Sequence, residues 1–312
     1  MSFAAMMLVA MAIDAAVGWP AWLYDRIGHP VTWLGALIAA LDRGWNRPGR
    51  ARRARGVAAA AVVIGAATAA GATAQAALPD GWAGVVLGGV LAWPLVALRS
   101  MHEHVAAVAR PLASGDLAAA RRAVSMIVGR NPAALDDAGV ARAALESLGE
   151  NTSDGIVAPL FWGAVAGLPG IAAYKAINTL DSMIGHRTPR HEAFGWASAR
   201  IDDGANLLPA RLTGAIFAAV SGHARTALGC MMRDARHHRS PNAGWPEAAL
   251  AGALGVRLSG PRIYGDRVAP EPWVNAPCPD PDARDIGRGL GLYRRAMALS
   301  AALLAAAALA GW

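Results

Sequence analysis

Val57–Leu78 runs for 22 residues without one charged side chain. At about 1.5 Å per residue, an α-helix of that length crosses the ~30 Å hydrocarbon core of a bilayer. Three more stretches share its character: Phe3–Trp19, broken only by Asp14; Trp82–Leu98; and Ala296–Trp312. Pro79-Asp80-Gly81 has turn composition and makes a hairpin of the second and third spans. Asp14, with no cation before it, argues against a cleaved signal peptide in the first. The chain is 55% hydrophobic and 16% charged, where a soluble domain carries about 25% charge. That balance excludes disorder. It predicts an all-α integral membrane protein, read as a single membrane domain over residues 1–312. Four helices span firmly, one or two apolar helices are re-entrant or broken, and a helical region lies on the cytoplasmic side. Eleven tryptophans against four Phe and four Tyr suit a protein with two membrane–water interfaces. Cys230 and Cys278 are too few and too far apart in sequence to imply a disulfide framework.

Arginine sets the orientation. Segment 42–56 holds Arg43, Arg47, Arg50, Arg52, Arg53 and Arg55 against Asp42 alone. Between two spans this marks the cytoplasmic side and not a nucleic-acid surface. Segments 99–154 and 222–295 follow on the same side. Two apolar runs between them are ambiguous. Gly155–Ala173 is uncharged but weakened as a helix by Pro159, Gly163, Gly167, Pro169 and Gly170. Leu207–Ser221 is short and contains Pro209 and Arg211. If both runs span, segment 174–206 faces outside; if both are re-entrant or packed within the protein, it faces the cytoplasm.

The scarce charge gathers in three nodes beside these runs, each an Asn with carboxylates. The first is Glu146 to Gly155, with Glu150, Asn151 and Asp154; Asp136 is placed to cap its helix, on which Arg142, Glu146 and Glu150 share a face. In the second, Lys175, Asn178 and Asp181 step by three along one helical ridge. An ammonium, an amide and a carboxylate there suit a phosphate, a metal or a polar substrate, and equally a network pinning two helices. Lys175 is the only lysine among 29 cations. The third node offers Asp202, Asp203 and Asn206 as hard oxygen donors of the kind Mg²⁺ takes. Arg200 and Arg211 flank it, to neutralise an anion or to pair with the aspartates. His237-His238 reads as a charged surface. Segments 240–247 and 260–265 have the Gly and Pro density of shaped loops. The chain has no GxxxxGK[ST] or GxGxxG phosphate motif, no GxSxG elbow and no HExxH.

Taken in order, these residues resemble one family. They are Asp14 with Gly18-Trp-Pro20, His29-Pro30-Val31, Val128-Gly129-Arg130, Glu146 to Phe161, Tyr174 to Gly185, Phe194-Gly195, Ala199 to Arg211, Ser240-Pro-Asn242-Ala-Gly244, and Gly260 with Tyr264-Gly265. The chain resembles the CobD/CbiB family of adenosylcobinamide-phosphate synthases over nearly its whole length, departing at Trp19 and Trp245.

The resemblance implies joining aminopropanol, or its O-phosphate, to the free propionate carboxylate of adenosylcobyric acid as an amide. ATP would activate the carboxylate, with Mg²⁺, and the corrinoid would be substrate. Under that implication Asp154, Asp181 and Asp203 are candidate Mg²⁺ ligands, and Lys175, Arg200 and Arg211 candidate phosphate contacts. Glu150 is the candidate base for the incoming amine, with Lys175 and Asp181 at the reacting centre. Asn151, Asn178 and Asn206 would take corrin amides or complete the metal shell, and His29, Asn242 and Tyr264 would contact substrate. The expected setting is the inner membrane, multi-pass, with the site on the cytoplasmic side because ATP is there. Homo-oligomers or contacts with other enzymes of the pathway fit that setting; a nucleic-acid partner does not. Two readings compete. A regulatory membrane family linked to β-lactamase induction is a remote relative, disfavoured by the nearly complete polar set. A transporter of a polar anionic solute is disfavoured by the lack of an internal repeat. The topology has its own check: a Ser182→Cys variant should stay unlabelled by an impermeant maleimide added to intact cells, and ready labelling would place 174–206 outside.

Overall fold

The computed structural model describes residues 1–129, 132–264, 267–269 and 271–311; for 262–264 and 267–269 it describes the backbone only. In chain order the helices are α1 (Phe3–Val17), α2 (Ala21–Ile27), α3 (Pro30–Trp45), α4 (Arg52–Ala76), α5 (Gly81–Ala92), α6 (Leu98–Ala113) and α7 (Leu117–Val124). They continue as α8 (Asp137–Thr152), α9 (Ala158–Ile184), α10 (Trp196–Ala205), α11 (Leu207–Val220), α12 (Ala224–Asp234), α13 (Gly244–Leu254) and α14 (Ala283–Leu309). Among the described residues, strand pairing is confined to two short antiparallel ladders, Leu258–Ser259 with Trp273–Val274 and Arg262–Tyr264 with Arg267–Ala269. The fold is that of an all-α membrane protein.

Four helical stretches are long and apolar enough to cross a bilayer: Arg52–Ala76, Gly81–Ala113, Asp137–Ile184 and Ala283–Leu309. The first apolar stretch of the sequence departs from a simple span. Helix α1 stops at Gly18, whose φ of 63° ends the helical path. Together with Ala21–Trp45 it forms a pair bent by 112°. The Pro79–Gly81 turn forms as expected, with Asp80 extended and Gly81 at φ 74°.

The run Gly155–Ala173 is helical despite its six glycines and prolines, and the break that those residues threaten is confined to one point. Ala166 and Gly167 leave the helical region, Gly167 at φ 65°, and Pro169 then lies in the first turn of the resumed helix. Proline is tolerated there because its missing N–H has no intrahelical partner to lose. The backbone N–H of Leu168 donates to the side-chain Oε1 of Gln75 on α4, 2.8 Å away. Gly71, one helical turn before Gln75, lets the α4 backbone come close, since a Cβ there would lie 2.6 Å from the Leu168 carbonyl oxygen. The sequence overstates the damage because helix propensity is a weak prior once packing supplies the lost partner.

The described chain divides into two compact units. The first comprises 1–98, 158–206 and 301–312; the second comprises 99–157 and 207–300. In the first unit α4 lies along α9, and α1, α3, α5 and α10 also pack on α9. Its core joins Ile38 of α3 and Ala59, Ala60, Val63 and Ala67 of α4 to Ala176, Leu180 and Ile184 of α9. Small residues on α4 let the helix backbones approach, as membrane helix interfaces require. In the second unit α13 packs on α8, α11 and α12, and it buries nearly every one of its residues.

Gly167→Ala meets both a left-handed φ and the Gln75 side chain, so it should destabilise the detergent-solubilised protein by about 1–3 kcal/mol. Gln75→Leu, which strands the Leu168 N–H, should cost a similar amount, whereas Gln75→Glu keeps the acceptor and should cost less. Thermal unfolding of the three variants checks this; unchanged midpoints for Gly167→Ala and Gln75→Leu would refute the account.

Candidate active site

Helices α9 and α10 carry Lys175, Asn178, Asp181, Arg200 and Asp203, with Asn206 at the C-terminal end of α10, all within the first unit. Lys175 is buried on α9 at 8% exposure, while Asn178 and Asp181, on the same ridge, are half-buried. The Lys175 ammonium lies within electrostatic range of His29. His29 caps α3: its Nδ1 accepts the Val31 N–H at 3.2 Å, and Thr32 returns the bond to the His29 backbone. The imidazole edge meets the Trp19 ring at 4.9 Å between centroids. Trp19 thus forms an aromatic wall beside a candidate substrate contact.

The Asp181 carboxyl lies within electrostatic range of Asp203 on α10 and of His186 in the loop that follows α9. Asp203 is itself partly exposed and paired with Arg200 at 3.3 Å, one turn earlier. Two carboxylates within electrostatic range repel each other, and the Arg200 guanidinium offsets part of that charge at Asp203.

Asp202 and Asn206 behave differently from Asp203. Both are buried, and both face α9. The Asn206 amide is used at both ends inside the protein: Nδ2 donates to Asp202 Oδ2 at 3.0 Å, and Oδ1 accepts from the Tyr174 hydroxyl at 2.8 Å. The next carbonyl back, Ala205, accepts from the Trp162 indole at 3.0 Å. Trp162 and Tyr174 stand on opposite sides of the Ala166–Gly167 break. The bend therefore lets both arms of α9 grip the C-terminal end of α10. Tyr174, Trp162 and Asp202 were not singled out for this bracing role by spacing. The aromatic positions inside the motif around Lys175 were the available signal.

The remaining candidates belong to the second unit. Glu150 is exposed, and Asn151 donates from Nδ2 to the Ser147 carbonyl at 3.0 Å. Asp154 lies in Ser153–Val157, a single π-helical turn between α8 and α9. Such turns put an extra residue into the helix and recur at functional sites. Asp136 caps α8 as expected, accepting the Gly139 N–H at 2.8 Å. Arg142 and Glu146, which share a face of α8, turn to different partners. Glu146 is buried and accepts the Ser259 N–H at 2.8 Å, while Arg142 turns to Asp280. Arg257 binds the same carboxylate, and both guanidiniums lie over the Trp273 ring. The hydrogen bond from Arg257 leads in holding the Asp280 carboxyl below its usual range.

Arg211 stacks on the Trp245 ring with its guanidinium 4.3 Å from the centroid, and it reaches Asn242 Oδ1 at 3.4 Å. Trp245 is thus the shelf under a candidate phosphate contact. His238 is a correction to the charged-surface reading. Its side chain is 5% exposed and faces Glu247 at 3.7 Å, because the Ser240 N–H donates to Nδ1 at 3.0 Å and turns the ring inward. The backbone of Tyr264 lies in the second ladder, and its side chain is outside the described residues, as are Arg130 and Gly265. Burial leads in pushing the Cys230 thiol up to about 12, with Asp234 adding to it. Among the described residues, no group of three or more His, Cys, Asp or Glu side chains is arranged to hold a metal ion.

Comparison with known proteins gives a consistent result. The family model described as CobD/Cbib protein matches residues 7–293. The chain is 71% identical over 298 residues to Cobalamin biosynthesis protein CobD of Rhodobacter capsulatus, covering 96% of this chain and 95% of the relative. It is 47% identical to the protein of the same name from Brucella suis, covering 97% and 96%. For that of Sinorhizobium fredii the identity is 45%, covering 95% and 94%. No solved structure matches.

The brace at the end of α10 has a measurable energy. Tyr174→Phe removes one buried hydrogen bond and should cost about 1–2 kcal/mol, while Asn206→Leu removes two at once and should cost roughly 2–4 kcal/mol. Thermal unfolding in detergent orders the two; a smaller loss for Asn206→Leu than for Tyr174→Phe would contradict the geometry.

Proposed function

The chain belongs to the CobD/CbiB family, and from that premise we propose that it is the enzyme of cobalamin biosynthesis that joins aminopropanol, or its O-phosphate, to adenosylcobyric acid as an amide. The observation that carries the reading is the polar seam of α9 and α10. It sets Lys175 near His29 and Asp181 near Asp203 in a protein otherwise poor in charge. Ionisable groups at membrane depth are costly, and they are kept where they are used.

The reaction needs two transfers. The propionate carboxylate attacks the γ-phosphorus of ATP, forming an acyl phosphate and releasing ADP. The amine, after losing a proton, attacks the acyl carbon, and inorganic phosphate leaves as the amide forms. Catalysis of the first step is mostly positioning and charge neutralisation. Lys175 and Arg200, both in the first unit, are the proposed phosphate contacts. Glu150 is the proposed acceptor of the amine's proton, and its exposure leaves it accessible to a substrate. Asn151, Asn178, Asn242 and Tyr264 are proposed to orient the corrinoid and the amine. Both ends of the Asn206 amide are spent within the protein, so its proposed part is to hold α10 in place.

Magnesium carried on nucleotide phosphates needs only one or two protein carboxylates. The hard oxygens of Asp181 and Asp203, both in the first unit, are proposed to meet that demand. When bound, the ion would neutralise the phosphate charge.

The bonding of loops in the first unit supports a site on the cytoplasmic side. Segment 185–195, which follows α9, is tied by Arg190 to Asp42 of the arginine-rich segment 42–56 at 2.6 Å. Both segments therefore lie at one end of the unit, and the arginine bias assigns that end to the cytoplasm.

Purified protein given adenosylcobyric acid, aminopropanol phosphate and Mg·ATP should release ADP and yield the amide. Absence of corrin-dependent ADP release from folded protein rejects the reading. Asp181→Asn should lower turnover by at least ~100-fold with the unfolding midpoint kept; near wild-type turnover would remove Asp181 from the reacting centre.

A further inference from the structure

Two loops far apart in sequence form one cationic face. Segment 42–56 joins α3 to α4, and segment 185–195 joins α9 to α10. Together they carry eight arginines against two acids, Asp42 and Glu192. The loops are bonded and not merely adjacent. Arg190 Nη2 reaches Asp42 Oδ2 at 2.6 Å, and His191 Nε2 lies 3.4 Å from Asp42 Oδ1. Asn46 Nδ2 donates to Asp42 Oδ1 at 2.6 Å and to the Arg190 carbonyl at 3.0 Å. Arg52 donates to Asn46 Oδ1 at 2.6 Å and to the carbonyls of Pro189 and Arg190. A Cβ at Gly56 would collide with the Phe194 carbonyl, so the two backbones touch.

These bonds consume Asp42, the one acid of the first loop, together with Arg52 and Arg190. Arg55 is turned to the Trp45 carbonyl. Arg43, Arg47, Arg50, Arg53 and Arg187 are exposed, with Glu192 the only other acid of the two loops. Five exposed guanidiniums held on a bonded scaffold repel one another, and a polyanionic surface relieves that repulsion.

The surroundings select the kind of anion. Arg53 stacks 3.6 Å above the ring of Trp196, which is 40% exposed, and Trp45 is also exposed. Directly after Arg55, α4 becomes charge-free and shows Val57 and Val62 on its outer side. Guanidiniums, half-exposed indoles and then apolar helix surface is the order of groups met on passing from headgroups into acyl chains. We propose that this composite face binds the phosphates of anionic phospholipids, with Arg43, Arg47 and Arg50 as its principal contacts. The proposal stands apart from the reaction proposed above, since none of the three arginines is placed in it.

Full-length protein is purified in mild detergent, offered equal amounts of phosphatidylglycerol and phosphatidylcholine of the same chains, and its retained lipids are counted by native mass spectrometry. The wild type should retain phosphatidylglycerol in preference. The variant R43Q/R47Q/R50Q should lose that preference by at least about tenfold, as removal of three juxtamembrane cations requires. The control R122Q/R225Q/R284Q removes the same charge from exposed positions of the second unit and should keep it. Equal retention of the two lipids by the wild type overturns the proposal. So does an equal loss in the control, which would make the effect one of net charge. Displacement of the lipid by inorganic phosphate assigns the face to free anions and overturns it too. Should the triple variant fail to fold, R50Q alone is read the same way, with a several-fold loss expected.

Discussion

A peptide group that enters hydrocarbon must find its hydrogen-bond partner within the protein, and the break in α9 is where this chain has to meet that demand. At Ala166–Gly167 the helix path is lost, and the freed N–H of Leu168 takes the Gln75 side chain from α4. The bend that results is what allows Trp162 and Tyr174, on the two arms of α9, to hold Ala205 and Asn206 side by side. A straight α9 would place those two side chains three turns apart along one axis, out of reach of adjacent residues. The position of α10 relative to Lys175 and Asp181 therefore depends on one glycine with a positive φ and one amide on a neighbouring span.

The same economy governs charge. Of the acids in this protein, those near the helix seam fall into distinct environments though they are close in sequence. Asp202 is buried and braced by Asn206; Asp203, one residue on, is partly exposed and paired with Arg200. Adjacent helical residues point about 100° apart, so a tandem aspartate splits between the inside and the rim of a helix pair. That split is why a run of oxygen donors in the sequence did not become a preformed metal cluster among the described residues.

Much of the architecture was legible beforehand. Uncharged length identified three of the four helical stretches able to span, but not the bend after Phe3–Val17; the turn at Pro79–Gly81 and the cap at Asp136 follow from composition, and the ordered motifs identified the family. The differences have local physical causes. Gly155–Ala173 reads as a weakened helix, and the weakness is confined to one break because Gln75 of α4 supplies the lost partner. The shared face of Arg142 and Glu146 carries no information about Asp280 or the Ser259 N–H, both more than a hundred residues away, to which they turn instead. His238 looked like part of a charged surface because its neighbours are cations, yet the Ser240 N–H turns its ring towards Glu247.

By itself, the sequence determined that the chain is a helical membrane protein of a particular family, that one side of it is rich in arginine, and which side chains are chemically able to react. These follow from quantities local in the chain: hydropathy over a span, the sign of charge in a loop, the order of short motifs. Only the tertiary structure decided which of those side chains meet, that Asn206 braces α10, that Trp19 and Trp245 each lie against a candidate residue, and that two distant loops share one cationic face. Those are facts about pairs of residues separated by many turns of helix, and the pairing is set by bends and close backbone approaches that no local pattern encodes.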